Sequence, residues 1–424
     1  MTRRHLRLAA VAAAGALALT ACASNTPSTA PAADGEVTGE VTMWMYPVIK
    51  DEAASKQYWA DTETAFEEEY PGVDLTIELQ TFDKRDAQIS AALAANTGPD
   101  LVLITPDQAA TYLTVGGLLP VDEAIAEDRD AFYEGTLSAA TFDDELYGIP
   151  LFQNVFTTAY NTEIFEAAGL DLPKTWDDVL DAAPVLAKQG IAVMDYAGST
   201  EQTLNLSFYP FLWQAGGRVF TEDGSDIAFD SKEGVEALQF LVDLQEAGGL
   251  PADAATAGPA VEGAPIASGK AAMRATTFLP EVNQMRAALG EDAFALGEPL
   301  EGEVQATYGN PGLLSLTSIN KRENREAAYA VLSFLTSAEQ QSALNAAAVN
   351  FPTRTDVGAP GEGPDFEALG SALESANPGE PSPVARQVMG VLAPYIQAAL
   401  AGDLSPKEAL EKAADEARAE LDRA

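Results

Sequence analysis

The sequence predicts an α/β fold in two domains, each a mostly parallel sheet flanked by helices. Three observations carry that expectation. The 424 residues, 47% of them hydrophobic, suffice for two cores, since ordinary domains run to about 100 to 200 residues. From Glu40 onward, short apolar segments alternate with amphipathic ones, the pattern of strands joined by crossover helices. A long extended stretch, Ile149 to Tyr160, rich in β-branched and aromatic residues with no interior Gly, runs directly into two capped helices.

Taken in order, Glu40 to Tyr46 alternates as a first strand and leaves Trp44 and Tyr46 at the mouth of the following loop. Trp59, Thr62, Phe66 and Tyr70 recur at spacings of three and four, an amphipathic helix over Gln57 to Tyr70 stopped by Pro71-Gly72. Val73 to Leu79 reads as a strand, Arg85 to Ala95 as a helix and Asp100 to Ile104 as a buried strand. After the long stretch, Asn161 or Thr162 caps a short helix through Ala168 with Gly169 as its left-handed stop, and Thr175 with Asp178 opens the next. Ser231 caps a helix ending at Gly248-Gly249, and Thr336 with Glu339 forms a capping box ahead of another. In the tail Val384, Val388, Leu392 and Tyr395 share a face, and Ser405-Pro406-Lys407-Glu408 combines an N-cap, a Pro at the first helical position and a capping-box Glu.

The first residues address the chain. Arg3, Arg4 and Arg7 precede an apolar run from Leu8 to Leu19, a secretory leader too short to span a membrane, which takes about 20 apolar residues. Leu19-Thr20-Ala21-Cys22 resembles the bacterial lipobox, so residues 1–21 are expected to be removed and Cys22, the only cysteine, to carry lipid. Residues 22–36, small, polar and Pro-containing, read as a flexible tether. The formal net charge of −41 argues against nucleic acid and against free anionic substrates such as phosphate esters, and reads as a solubilising surface. The only histidine, His5, falls in the leader, which removes Ser-His-Asp and Cys-His mechanisms and the usual zinc, copper and iron ligand sets. No nucleotide-binding glycine motif follows a strand, and neither a metal nor a cofactor is expected.

Tyr147-Gly148-Ile149-Pro150, Tyr160-Asn161, Ala168-Gly169-Leu170 and Pro173-Lys174-Thr175-Trp176-Asp177 carry a family likeness. So do Gly98-Pro99-Asp100-Leu101-Val102, Gly117-Leu118-Leu119-Pro120-Val121-Asp122, Trp213-Gln214-Ala215-Gly216-Gly217, Ser268 to Met273 and Asn350-Phe351-Pro352-Thr353-Arg354. In this order, over about residues 40 to 420, they resemble bacterial extracellular solute-binding proteins of family 1, the maltose-binding-like group. The resemblance implies a two-lobed periplasmic-binding-protein fold of type II with a three-segment hinge. One lobe would hold residues 37–153 and 278–356, the other 154–277 and 357–424. It further implies a monomeric, non-enzymatic receptor on the outer face of the cell membrane, held by its lipid anchor alone. Such a receptor captures a sugar or oligosaccharide and delivers it to the permease subunits of an ABC importer.

Ligands of open α/β sheets lie beyond the carboxyl ends of the strands, which selects the loops bearing Trp44, Tyr46, Asp83, Asp107, Asn154 and Phe278. The family carries ligand contacts on the same loops. Asp107 matches a carboxylate that accepts from sugar hydroxyls, Asn154 a polar contact at the crossover, and Tyr209 an aromatic platform. A pyranose offers an apolar C–H face and a rim of hydroxyls, which suits the aromatics Trp44, Tyr46, Tyr209, Phe278 and Tyr308 together with Asp83, Asp107, Asn154 and Asn310. Each taken singly also fits a core aromatic or a helix cap, Asp107 over Gln108 to Leu113 for example. The late helix departs from the family, with Met389 and no Trp or Tyr before Tyr395. Two other functions stay open on the residues alone: a receptor for a non-sugar solute such as a polyamine, and a secreted glycosidase using two of the 65 acids.

Overall fold

The computed structural model describes residues 37–81, 84–200, 203–380 and 382–423, so Cys22, the tether and Asp83 lie outside the described residues. Strands β1 (Gly39–Met45), β2 (Val73–Leu79) and β3 (Leu101–Ile104) pair in parallel in the spatial order β2-β1-β3. The helices Glu52–Glu69 and Arg85–Ala95 carry the chain back between them, the connection that parallel pairing requires. The short strand β4 (Leu118–Leu119) and the hairpin of β5 (Thr141–Phe142) and β6 (Glu145–Leu146) follow.

The extended stretch that reads as one segment is two strands, β7 (Ile149–Val155) and β8 (Thr157–Asn161), which belong to different sheets. The break is at Phe156, whose N–H donates to the carbonyl of Tyr308 at 3.0 Å. Strands β9 (Ala192–Met194), β10 (Ala271–Thr277) and β11 (Phe294–Gly297) complete the second sheet in the order β11-β8-β10-β9. The eleven-residue β12 (Thr307–Thr317) then enters the first sheet, antiparallel to β3, β4 and β7, and its start pairs in parallel with β13 (Ala376–Asn377). Parallel pairing thus holds where helices connect neighbours. Where β7 leaves the first sheet and β12 returns to it, the chain directions oppose and the sheet is mixed.

Each sheet has its own core. Met43, Leu101, Ile104, Leu151, Leu314 and Val331 pack in the first lobe, and Tyr160, Leu186, Phe211, Leu241, Val388 and Leu410 in the second. Local capping chemistry sets the helix ends. Asn161 accepts from the N–H of Ile164, and Gly169 closes the same helix in the left-handed region at φ 67°. The boxes at Thr175 and Asp178 and at Ser405 and Glu408 form as the sequence predicts. One cap differs. Thr336 ends the helix Arg325–Leu335, donating its hydroxyl to the Leu332 carbonyl at 2.8 Å, and Ser337 caps the next by accepting from the N–H of Gln340. A hydroxyl bonded four residues back is spent within its own helix, so the adjacent Ser takes the cap.

Candidate functional site

The floor of the site is made where β7 and β12 run side by side. Their register sets Asn154 opposite Asn310, so the two amides project on one face. Asn310 is only 9% exposed, yet among the described residues neither side-chain amide has a hydrogen-bond partner. Each amide keeps a donor and an acceptor available. Both line a cavity of about 300 Å³, along with Phe156, Phe278, Arg85 and Lys50. The Phe156 ring, at the turn between lobes, stands 5.4 Å from Phe278 and 5.6 Å from Tyr308. Tyr308 in turn stacks on Trp213 at 6.5 Å, so a row of rings runs from the cavity into the second lobe.

The wall is ionic. Thr105 caps the helix Pro106–Leu113 in a box with Gln108, which places Asp107 in the first turn rather than at the cap the sequence allows it. Asp107 accepts from the Thr105 hydroxyl and, at 2.8 Å, from Nε of Arg386. The same guanidinium lies 3.3 Å from Asp86, whose carboxylate also accepts from Gln108. Arg386 stands at the start of the helix Ala385–Leu400, which packs into the second core, so this ion pair joins the two lobes. Burial acts to lower the Arg386 pKa, and Asp107 and Asp86 more than reverse it. For Arg85, burial prevails and pulls the pKa below the usual arginine range. Its guanidinium sits 5.4 Å from the centre of the Tyr46 ring, within cation–π range.

Of the nine residues singled out from the sequence, Asn154, Asn310 and Phe278 line the cavity, Tyr308 lies one ring behind it, and Asp107 stands in the ionic wall. Tyr46 and Tyr209 are core residues, 0% and 2% exposed. Tyr46 turns inward past the end of β1, and burial lifts its hydroxyl to about pKa 12. The Tyr209 hydroxyl is buried in the second core without a partner among the described residues. Trp44 is half-buried, and its indole N–H donates at 2.7 Å to Glu78 on the adjacent strand. Asp83 is not described. Sequence reasoning missed Arg386, Arg85, Asp86, Lys50 and Phe156. A signal for two of them existed: Arg85 and Arg386 sit at helix N-termini, where the macrodipole disfavours cations, in a chain with 24 bases against 65 acids.

Two sheets with separate cores and a cavity where the chain passes between them define a two-lobed, maltose-binding-protein-like fold. The chain belongs to the bacterial extracellular solute-binding protein family, whose model matches residues 46–342. It is 30% identical over 190 residues to the arabinooligosaccharide-binding protein of Halalkalibacterium halodurans, covering 43% of this chain and 42% of the relative. The chain thus aligns with less than half the length of the curated relatives first matched. Over whole chains it superposes on the cyclic alpha-maltosyl-1,6-maltose binding protein of Arthrobacter globiformis with a TM-score of 0.80 at 22% identity, covering 91% of this chain and 100% of that one. A solute-binding protein of Thermotoga lettingae, bound with alpha-D-tagatose, gives 0.72 at 25% identity with the same coverage.

Proposed function

We propose that this protein is a receptor that captures a sugar or oligosaccharide outside the cell, closes two lobes over it and hands it to an ABC importer. The observation that carries the reading is the pair of amides, Asn154 and Asn310, which have no side-chain partner among the described residues and line a cavity with the Phe156 and Phe278 rings. Amides supply the donors and acceptors that sugar hydroxyls need, and aromatic rings match the C–H face. The relatives named for arabino-oligosaccharide, cyclic maltosyl-maltose and tagatose support the ligand class. The expected boundary at residue 278 falls too early, because β11 (Phe294–Gly297) pairs with β8 in the second sheet and the chain rejoins the first only at β12; lobes built on these two sheets would rotate about the crossings as hinged bodies. In this reading Cys22 is the lipid anchor, and Cys22→Ala releases the protein from the membrane; equal membrane association of the variant and the parent would remove the anchor.

A thermal-shift panel of mono- and oligosaccharides tests the ligand class. The matching sugar raises the melting temperature, by about 2.7 kcal/mol of stabilisation at a hundredfold excess over Kd. A panel with no shift for any sugar, alongside a shift with spermidine, would replace sugar with polyamine. Turnover of chromogenic glycosides would overturn the receptor reading altogether.

A further inference from the structure

One apolar residue of the cavity is held in a backbone conformation that its side chain disfavours. Val349 ends the helix Ala338–Ala348 in the left-handed region, at φ 57° and ψ 39°. Left-handed helix stops are ordinarily Gly or Asn, and a β-branched residue there is strained. The other non-glycine residues with positive φ among the described residues are Asn96, Asp143 and Asp144, types that tolerate the conformation. The backbone after Val349 is clamped to the floor of the site. Two residues on, Phe351 exchanges both backbone hydrogen bonds with Gln153 of β7, at 2.8 and 2.9 Å, next to Asn154. No core holds the valine side chain, which is 41% exposed. Of the large hydrophobic residues left exposed among the described residues, Val349 is the one that lines the cavity. Val48, Leu279 and Phe278 line it too, so the cavity that offers two amides also offers apolar surface. A glycine at this position would stop the helix without strain. What it would not supply is the apolar side chain in the cavity.

We propose that Val349 is a binding residue of the receptor, whose methyl groups meet an apolar C–H edge of the sugar while Asn154 and Asn310 take hydroxyls. The proposal rests on the sugar-receptor reading and adds a contact to it. Removing the exposed valine surface from water is favourable on binding and absent from folding.

Two variants separate the side chain from the strain. Val349→Thr keeps the β-branched shape and the backbone strain but turns a methyl into a hydroxyl, and Val349→Gly removes side chain and strain together. Calorimetric titration with the sugars of the thermal-shift panel, arabinotriose and maltotriose first, is run beside thermal unfolding without sugar. V349T melts within about 2 °C of the parent and binds the parent's sugar about three- to tenfold less tightly. V349G melts about 2 to 4 °C higher and binds at least as weakly as V349T. A protein that is more stable and binds worse marks a residue kept for the ligand. Unchanged affinity in both variants would overturn the contact and leave the receptor standing. So would weakening in V349G alone, which would make Val349 a shaper of the loop, and so would a V349G less stable than the parent. Failure of every sugar of the panel to bind the parent would overturn the contact together with the receptor.

Discussion

The floor and the wall of the cleft hold polar groups of similar size a short distance apart, yet they are in opposite states. On the floor, Asn154 and Asn310 are fixed by an antiparallel ladder and have no side-chain partner among the described residues. In the wall, Asp86 and Asp107 are committed to Arg386, Gln108 and Thr105. The difference lies in where the partner comes from. Strand backbones satisfy one another and leave the amides over, whereas the wall carboxylates are answered by a side chain from the other lobe. The floor is therefore prepared for a ligand, and the wall for lobe-to-lobe contact.

The largest effect should come from emptying the floor. Asn310→Ala and Asn154→Ala should each weaken binding of the identified sugar about five- to hundredfold in calorimetry, with little change in melting temperature because neither amide has a partner among the described residues. Unchanged affinity in both would erase the contrast with the wall. Next in size is Phe278→Ala, which removes a half-buried ring beside Phe156 and should cost about three- to tenfold in affinity.

Arg386→Gln tests the wall itself. The pair is about half exposed on the arginine side, so its loss should change stability by no more than about 1 kcal/mol. It should instead enlarge the radius of gyration of the ligand-free protein in X-ray scattering, as high salt should in the parent. An unchanged radius would make the wall a local ion pair and nothing more.

The smallest effect concerns a carboxylate satisfied wholly within the second lobe. Glu380 accepts from the N–H groups of Val219 and Phe220 and from the indole of Trp213, and burial lifts its pKa above the ordinary 4.5 despite those bonds. The folded state therefore holds this proton more tightly than the unfolded chain, so Glu380 favours folding most below pH 4.5, and that contribution declines as pH rises through its elevated value. Urea unfolding across the acid range should show the stability difference between the parent and Glu380→Gln falling with increasing pH. A flat difference would mean that burial does not govern this group.

What the sequence by itself determined was local and periodic. The caps at Asn161, Thr175, Ser231 and Ser405 and the strand Val73–Leu79 are encoded within three or four residues or in a period-two pattern, so they were legible without the fold. Even there, Thr336 and Ser337 present the same hydroxyl one residue apart, and only the preceding helix decides which one caps. The tertiary structure decided whatever depended on partners distant in the chain. Tyr46 and Trp44 sit near one strand end, but packing sends one into the core and binds the other to Glu78. The register of β7 on β12 brings Asn154 to Asn310 across more than 150 residues of sequence, and Arg386 reaches Asp107 across 279. A side chain's periodicity records which face it occupies, not which distant chain segment will pack there, and the candidate site is made of such encounters.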